Sequence, residues 1–141
     1  MTKFIIDTSV WSEALRRKKN TINSSETVVR KIIENEDEIV ILGIILQEIL
    51  TGILNEKLFI EIKDILDDLL YLEITKNDYI YASELCNKCR SKGITAGSID
   101  FLIASTAIRN ELQLVTFDKD FFNISNYSDL KILDIDHLLE N

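Results

Sequence analysis

Short runs of Ile, Val and Leu alternate along this chain with longer stretches in which apolar residues recur at helical spacing. Runs that are apolar on both faces are typical of strands in a parallel sheet covered on two sides, and the stretches between them supply crossover helices. The sequence therefore predicts an α/β fold, a three-layer sandwich with a central, mostly parallel five-stranded sheet flanked by helices. The predicted strands are Lys3–Ile6, Glu38–Leu42, Leu70–Ile74, Gln113–Thr116 and Lys131–Leu133.

Apolar residues at intervals of three and four predict the helices. The predicted helices are Val10–Lys19 with Thr8 or Ser9 as N-cap, Ser25–Asn35, Ile44–Leu54, one striped by Leu58, Ile62, Ile65, Leu66 and Leu69, Asn77–Arg90, and one opened by Ser98. The other residues expected to face inward are Val28, Val29, Ile32, Ile33, Ala82, Leu85, Cys86, Cys89, Ile99, Leu102 and Ile103. Gly93 and Gly97 are expected to end one helix and to shape the entry to the next.

The 141 residues, 46% of them hydrophobic, predict one domain spanning residues 1–141 and exclude a disordered or fibrous chain. No apolar stretch is long enough to span a bilayer, and two cysteines cannot form a disulfide framework. We therefore expect a soluble, cytoplasmic protein with no membrane partner.

Charge is distributed unevenly along the chain. Residues 1–33 hold seven basic and three acidic residues (+4), residues 34–84 three and thirteen (−10), and residues 85–141 six and eight (−2), which sum to the net charge of −8. A chain with this net charge does not attract nucleic acid as a whole, so any such binding must be local. The densest basic cluster is Arg16, Arg17, Lys18 and Lys19, and Lys88, Arg90 and Lys92 form a second.

Acidic residues follow the predicted strands. Asp7 comes directly after the first strand and Asp118 directly after the fourth, while Glu48 and Asp100 lie near the starts of helices. Ligand sites in open α/β sheets lie at the carboxyl ends of the strands, so we expect these four carboxylates to converge there. As alternatives, Asp7 could only cap a helix, and Asp100 could only interact with a helix dipole.

Clustered carboxylates repel one another unless a cation neutralises them, and oxygen ligands favour Mg²⁺ or Mn²⁺. Two such ions can activate a water and stabilise the leaving oxygen of a scissile phosphate without a side-chain base. The sequence therefore predicts metal-dependent phosphodiester chemistry. His137, the one histidine, lies near the C-terminus and has no evident catalytic partners.

Four segments resemble, in order, the motifs of the PIN-domain (PilT N-terminus) ribonucleases, and most closely the VapC-type toxins of toxin–antitoxin modules. The segments are Asp7-Thr8-Ser9-Val10-Trp11, Leu46-Gln47-Glu48-Ile49-Leu50-Thr51-Gly52, Asp100-Phe101-Leu102-Ile103-Ala104-Ser105-Thr106-Ala107 and Val115-Thr116-Phe117-Asp118-Lys119-Asp120-Phe121. Ser9 stands where many relatives have Asn, which keeps a hydrogen-bonding role open.

The resemblance implies an Mg²⁺- or Mn²⁺-dependent endoribonuclease that leaves a 5′-phosphate. Asp7, Glu48, Asp100 and Asp118 would then be catalytic metal ligands, with Asp120 acting through a water molecule and with hydroxyl support from Ser9 and Thr116. The implied partners are RNA, a cognate antitoxin and a second copy of the chain in a homodimer. We expect Arg16, Arg17, Lys18 and Lys19 to contact RNA, Lys119 to be a solvated surface residue, and Trp11 either to stack on a base or, preferably, to pack in the core.

Two alternatives remain. An aspartate after the first strand is the nucleophile of haloacid-dehalogenase-type phosphoryl transfer, but that chemistry needs a second Asp where this chain has Ser9. An inactive PIN scaffold that binds RNA or protein through the same cleft is the other alternative, and Mn²⁺ binding would distinguish it from the nuclease.

Overall fold

The computed structural model describes residues 2–15 and 24–140 of the chain. These residues include a five-stranded sheet in which all neighbouring strands are parallel, as predicted. The first two strands have their predicted bounds, and the other three end one or two residues early. The strands are β1 (Lys3–Ile6), β2 (Glu38–Leu42), β3 (Leu70–Leu72), β4 (Gln113–Val115) and β5 (Lys131–Ile132).

The strand order is β3-β2-β1-β4-β5. The chain runs outward from β1 to β3 and then returns to the other side of β1, so the order reverses between β1 and β4. Connections diverge at such a switch point and leave a crevice outside the carboxyl ends of the strands. The residues that follow β1 and β4 therefore lie beside this crevice.

Eight helices are present among the described residues. They are α1 (Thr8–Ala14), α2 (Ser24–Glu34), α3 (Gly43–Leu50), α4 (Glu56–Asp67), α5 (Lys76–Ser91), α6 (Ser98–Arg109), α7 (Lys119–Ser125) and α8 (Ile135–Glu140). Right-handed crossovers place α1–α4 on one face of the sheet and α5–α7 on the other, in agreement with the contacts of α1 with α3 and of α6 with α5 and α7. The three-layer α/β prediction is confirmed, although the short helices α7 and α8 were not predicted.

The core lies on both sides of the central strands. Ile5, Ile6, Leu42 and Leu114 are almost completely buried. Helix α6 is enclosed as well, since all seven residues of Phe101–Ala107 are buried. The amino end of α6 is thereby held in place beside the carboxyl edge of the sheet.

Several apolar residues that were expected inside are exposed. Ile33 is 58% exposed on α2, Leu58 and Ile65 are 38% and 46% exposed on α4, and Ile99 is 45% exposed at the start of α6. Helical spacing predicts which side of a helix is apolar, but the adjacent layer covers only a strip of that side. In α4, this strip contains Ile62 and Leu66.

The starts of two helices test these predictions. Asp7, and not Thr8 or Ser9, occupies the N-cap position of α1. Ser98 is the first residue of α6, as predicted, and Gly97 occupies its N-cap position. Gly93 has a φ of +82° and ends α5 as predicted, with its N–H bonded to the Arg90 carbonyl. This is the left-handed conformation that glycine adopts without strain.

The two cysteines lie on the inner side of α5. Cys89 is fully buried and Cys86 is partly buried against the core, which agrees with their predicted packing role. Burial raises the pKa of the Cys89 thiol above its usual value, so this cysteine is a poor nucleophile. No helix in the described part of the chain is long and apolar enough to cross a membrane.

Candidate active site

Asp7 lies at the end of β1 and is 7% exposed. Its Oδ2 accepts hydrogen bonds from the Ser9 hydroxyl at 2.8 Å and from the Thr116 hydroxyl at 3.0 Å. Although Asp7 occupies the N-cap position of α1, its side chain makes no capping hydrogen bond. The carboxylate is therefore oriented by two hydroxyls, that of Thr116 after β4 and that of Ser9 in the first turn of α1, and not by a backbone N–H of this helix.

Thr116 and Asp118 follow β4 on the other side of the crevice. The buried Thr116 hydroxyl oxygen accepts the Asp118 backbone N–H at 3.0 Å. Asp118 is exposed and caps α7, because its Oδ1 accepts the backbone N–H of Asp120 at 2.9 Å. Its other carboxylate oxygen receives no hydrogen bond from the described residues.

Asp100 lies in the first turn of α6. Its Oδ2 accepts the backbone N–H of Gly97 at 3.1 Å, so part of its role is to cap the helix. One oxygen of Asp100 therefore interacts with the amino end of the helix, which was the alternative role expected for this residue. A capping carboxylate keeps its second oxygen for another contact, because each carboxylate has two acceptor atoms.

Glu48 projects from α3. The helix was expected to be largely buried, but only Ile45 and Ile49 are buried and Glu48 itself is exposed. The reason is that α3 contacts the sheet and its neighbouring helices along one side only. Glu48 Oε1 accepts a long, 3.4 Å hydrogen bond from the Thr8 hydroxyl, directly after Asp7.

These carboxylates affect one another electrostatically. Burial raises the pKa of Glu48, and the negative charges of Asp7 and Asp100 add to this increase, against the hydrogen bond from Thr8. Burial likewise raises the pKa of Asp100, and Asp118, Asp120 and Asp7 add to it, against the hydrogen bond from Gly97. The predicted acidic residues from β1, α3, α6 and α7 thus share one region of negative potential.

The donor chemistry of this region fits a hard divalent cation, since every acidic side chain offers only oxygen. As the side chains stand, however, the described residues contain no group of three or more Asp, Glu, His or Cys arranged to hold a metal ion. Like charges favour separation, and Asp100 and Asp118 are also turned toward backbone N–H groups. A cation would remove the repulsion that adds to the effect of burial on the pKa of Glu48 and Asp100.

The predicted basic contacts fall into two groups. Arg16, Arg17, Lys18 and Lys19 lie outside the described residues. Lys88, Arg90 and Lys92 are near the end of α5, and Arg90 lines a groove with Ser98 and Ile99, the two residues before Asp100. Lys119 is exposed, as predicted.

The structure decides between the two interpretations of Trp11. Trp11 is 3% exposed and belongs to the core, so the interpretation as a core residue holds and base stacking by Trp11 does not. Two neighbours of the acidic residues were not considered: Thr8, which contacts Glu48, and Phe117, which is 47% exposed beside Asp118. Strand alternation gives no signal for Phe117, because it lies beyond β4 and the two residues before it, Val115 and Thr116, are both buried.

Comparison with known proteins identifies the fold independently. Residues 4–127 match the sequence model of the PIN domain. No curated protein sequence is similar enough to this chain to count as a match.

Solved structures share the fold over nearly the whole chain. VapBC2 from Rickettsia felis, bound to a DNA fragment from its promoter, has a TM-score of 0.75 and 23% identity over 94% of this chain and 98% of that chain. DNA-bound VapBC from Salmonella typhimurium has a TM-score of 0.73 and 20% identity, covering 96% and 99%. VapBC-1 from nontypeable Haemophilus influenzae has a TM-score of 0.73 and 17% identity, covering 96% and 99%.

Proposed function

The chain belongs to the PIN-domain family, and on that premise we propose that it is a metal-dependent endoribonuclease, the toxin of a type II toxin–antitoxin pair. The observation that carries the proposal is the gathering of acidic residues at the switch point of the sheet: Thr116 links Asp7 to Asp118, and Thr8 bonds to Glu48. The negative charges of Asp7 and Asp118 also help to raise the pKa of Asp100. Perturbed carboxylates gathered in a crevice are typical of functional sites.

Mg²⁺ or Mn²⁺ is the proposed cofactor, held by oxygens of Asp7, Glu48, Asp100 and Asp118, with Asp120 nearby. Bound there, a divalent ion would lower the pKa of a water molecule and stabilise charge on the leaving oxygen of a phosphodiester. The hydroxyls of Ser9 and Thr116 would orient the Asp7 carboxylate. Such outer contacts fix ligand geometry and maintain metal affinity.

Backbone N–H groups would orient the carboxylates of Asp100 and Asp118 in a comparable way. The Gly97 N–H holds one oxygen of Asp100 and the Asp120 N–H holds one oxygen of Asp118. Each contact leaves the second oxygen of its carboxylate without a hydrogen bond from the described residues. We propose that these second oxygens are the ones that face the cation.

RNA is the proposed substrate, and the net charge of −8 limits how it can bind. Bulk attraction for phosphates is absent, so affinity must come from local contacts near the site. Arg16, Arg17, Lys18 and Lys19 are the proposed basic contacts, and Arg90 provides another beside Asp100. Unpaired RNA fits best, because a single strand can be splayed across the crevice.

The proposed protein partners are a cognate antitoxin and a second copy of this chain, as in the VapC-type toxins that the sequence resembles. The VapBC structures with the same fold support a partner of this kind. Exposed apolar side chains at Leu54, Leu58 and Ile65 offer surface for one of these contacts. We also propose that residues 1–141 form a single domain. The proposed location of the protein is the cytoplasm.

The test is cleavage of a single-stranded oligoribonucleotide with and without Mn²⁺. We expect cleavage by the unsubstituted protein, and none by Asp7→Asn or Asp118→Asn, which lose a negative ligand with little change in shape. Asp68→Asn is the matched control, since Asp68 is exposed and precedes β3 at the opposite edge of the sheet. Undiminished cleavage by either site variant would contradict the proposal.

An inactive PIN scaffold that binds RNA or protein is the second candidate. It is favoured by one observation, that no three acidic side chains among the described residues are arranged around a single point. The two candidates differ in Mn²⁺ binding, because a scaffold without catalytic function needs no cation in its cleft.

A further inference from the structure

Phe117 is an exposed aromatic residue in the segment that links two residues of the candidate site. It stands between Thr116, whose hydroxyl bonds to Asp7, and Asp118, whose N–H bonds to Thr116. Consecutive Cα atoms are about 3.8 Å apart, so the ring is attached to backbone that is fixed relative to both carboxylates. The backbone of Phe117 is thus held next to the crevice by the same hydrogen bonds that position Asp7 and Asp118.

Phe117 is not a core residue, so packing of the core does not explain why an aromatic side chain stands at this position. Val115 and Thr116 before it are fully buried, and Phe121 four residues later is 1% exposed in the core, whereas Phe117 is 47% exposed. Single exposed apolar residues are common on protein surfaces, so exposure alone identifies no site. The position of the ring next to Asp118 makes it relevant to a substrate.

The charge of the site indicates what this ring can contribute. Five carboxylates surround the crevice, and the whole chain carries a net charge of −8, so phosphate groups meet repulsion except where a cation or a basic side chain intervenes. Stacking of a base on an aromatic ring needs no positive charge and depends little on salt. A stacking contact can therefore add affinity for RNA at a site whose negative charge repels phosphate.

We propose that Phe117 is the platform on which one unpaired nucleobase of the RNA substrate stacks, next to the phosphate that a cation bound by Asp7 and Asp118 would hold. This inference rests on the proposed function and specifies how its substrate is positioned. Because the faces of a base in a duplex are already covered by neighbouring bases, the platform selects single-stranded or looped RNA. Phe117 thus positions the substrate and takes no part in proton or metal chemistry.

The test is the KM for Mn²⁺-dependent cleavage of a single-stranded oligoribonucleotide. We expect Phe117→Ala to raise KM by about 5- to 100-fold with little change in kcat, because it removes one base-stacking contact. Phe117→Tyr and Phe117→Trp should restore KM, whereas Phe117→Leu, which keeps apolar bulk but no ring face, should not. Tyr127→Ala is the matched control, since Tyr127 is also exposed but precedes β5 at the opposite edge of the sheet.

A substrate series identifies the stacked base. Abasic nucleotides placed one at a time around the mapped cleavage site should raise KM for the unsubstituted protein at one position. The same abasic substrate should raise KM no further for Phe117→Ala, because the stacking contact is already absent.

Two failures are distinguishable. Cleavage by the unsubstituted protein with an unchanged KM in Phe117→Ala would overturn this inference alone, and would leave the ring as a contact for a protein partner. Absence of any Mn²⁺-dependent cleavage by the unsubstituted protein would overturn the proposed function, and this inference with it.

Discussion

The hydroxyl of Thr116 lies 3.0 Å from Asp7 Oδ2 and joins the carboxyl ends of β4 and β1 across the switch point of the sheet. The same hydroxyl oxygen accepts the backbone N–H of Asp118 at 3.0 Å. One buried side chain therefore holds two of the proposed metal ligands in a set relation to each other.

Replacing this hydroxyl tests its role. Thr116→Val keeps the shape but removes a donor to Asp7 and an acceptor for the Asp118 N–H, so we expect the free energy of unfolding to fall by about 1–3 kcal/mol. We also expect Mn²⁺ affinity to fall about 10- to 100-fold, because Asp7 loses an orienting contact. Urea denaturation and calorimetry measure the two effects.

Thr106→Val is the control for this prediction. Thr106 is equally buried, but its hydroxyl bonds only to the Leu102 carbonyl within its own helix. Its loss should cost less and should leave Mn²⁺ affinity unchanged. Equal effects of the two substitutions would show that Thr116 has no special relation to the acidic residues.

The pH dependence of stability provides a second prediction. Burial, with neighbouring carboxylates, raises the pKa of Asp100, so the folded protein holds this proton more tightly than the unfolded chain does. Its contribution to stability is therefore complete below the ordinary pKa of the carboxyl and is lost as the pH rises through the raised pKa. The effect is modest because the group is partly exposed to solvent.

Asp100→Asn removes this titration while its amide oxygen can still accept the Gly97 N–H. Without metal, we expect the free energy of unfolding of the variant to fall less than that of the unsubstituted protein as the pH rises through this range. Urea denaturation at a series of pH values in EDTA measures the difference. An equal or steeper fall in the variant would contradict the assignment.

The pair of Arg109 and Asp78 joins α6 to α5 at the end of α6 opposite Asp100. Arg109 Nη1 lies 2.7 Å from Asp78 Oδ1, and the Asp78 side chain is 2% exposed. Arg109→Met leaves a buried carboxylate without its cation, so we expect a loss of about 3 kcal/mol in the free energy of unfolding.

Arg30→Met is the comparison for this ion pair. Arg30 bonds to Glu26 at 2.9 Å on the surface of α2, where a pair contributes less than about 1 kcal/mol. Urea denaturation of the two variants should separate the buried pair from the exposed one. A loss for Arg109→Met as small as that for Arg30→Met would show that Asp78 is adequately solvated or bonded without the guanidinium.

The strands could be predicted where both faces are buried. The bounds of Lys3–Ile6 and Glu38–Leu42 agree with prediction because these central strands are continuous apolar runs. The third strand ends two residues early: it lies at the edge of the sheet, where Leu70 and Tyr71 are about half exposed. Sequence spacing does not indicate which strand has a partner on one side only.

The proximity of Asp7 and Asp118 could be predicted only on the condition that their strands are neighbours. The pairing of β1 with β4 meets that condition, because residues that follow neighbouring parallel strands meet at one edge. The exposure of Glu48 depends on how much of α3 its neighbours cover, which a helical pattern cannot indicate. The Gly97 contact of Asp100 depends likewise on a loop conformation that the residue types leave open.

The central claim is that these carboxylates bind a divalent cation, and calorimetric titration with Mn²⁺ tests it most directly. We predict saturable binding to the unsubstituted protein, a large loss of affinity in Asp7→Asn and Asp118→Asn, and unchanged binding in Asp68→Asn. Absence of binding by the unsubstituted protein, or equal binding by all variants, would contradict the account.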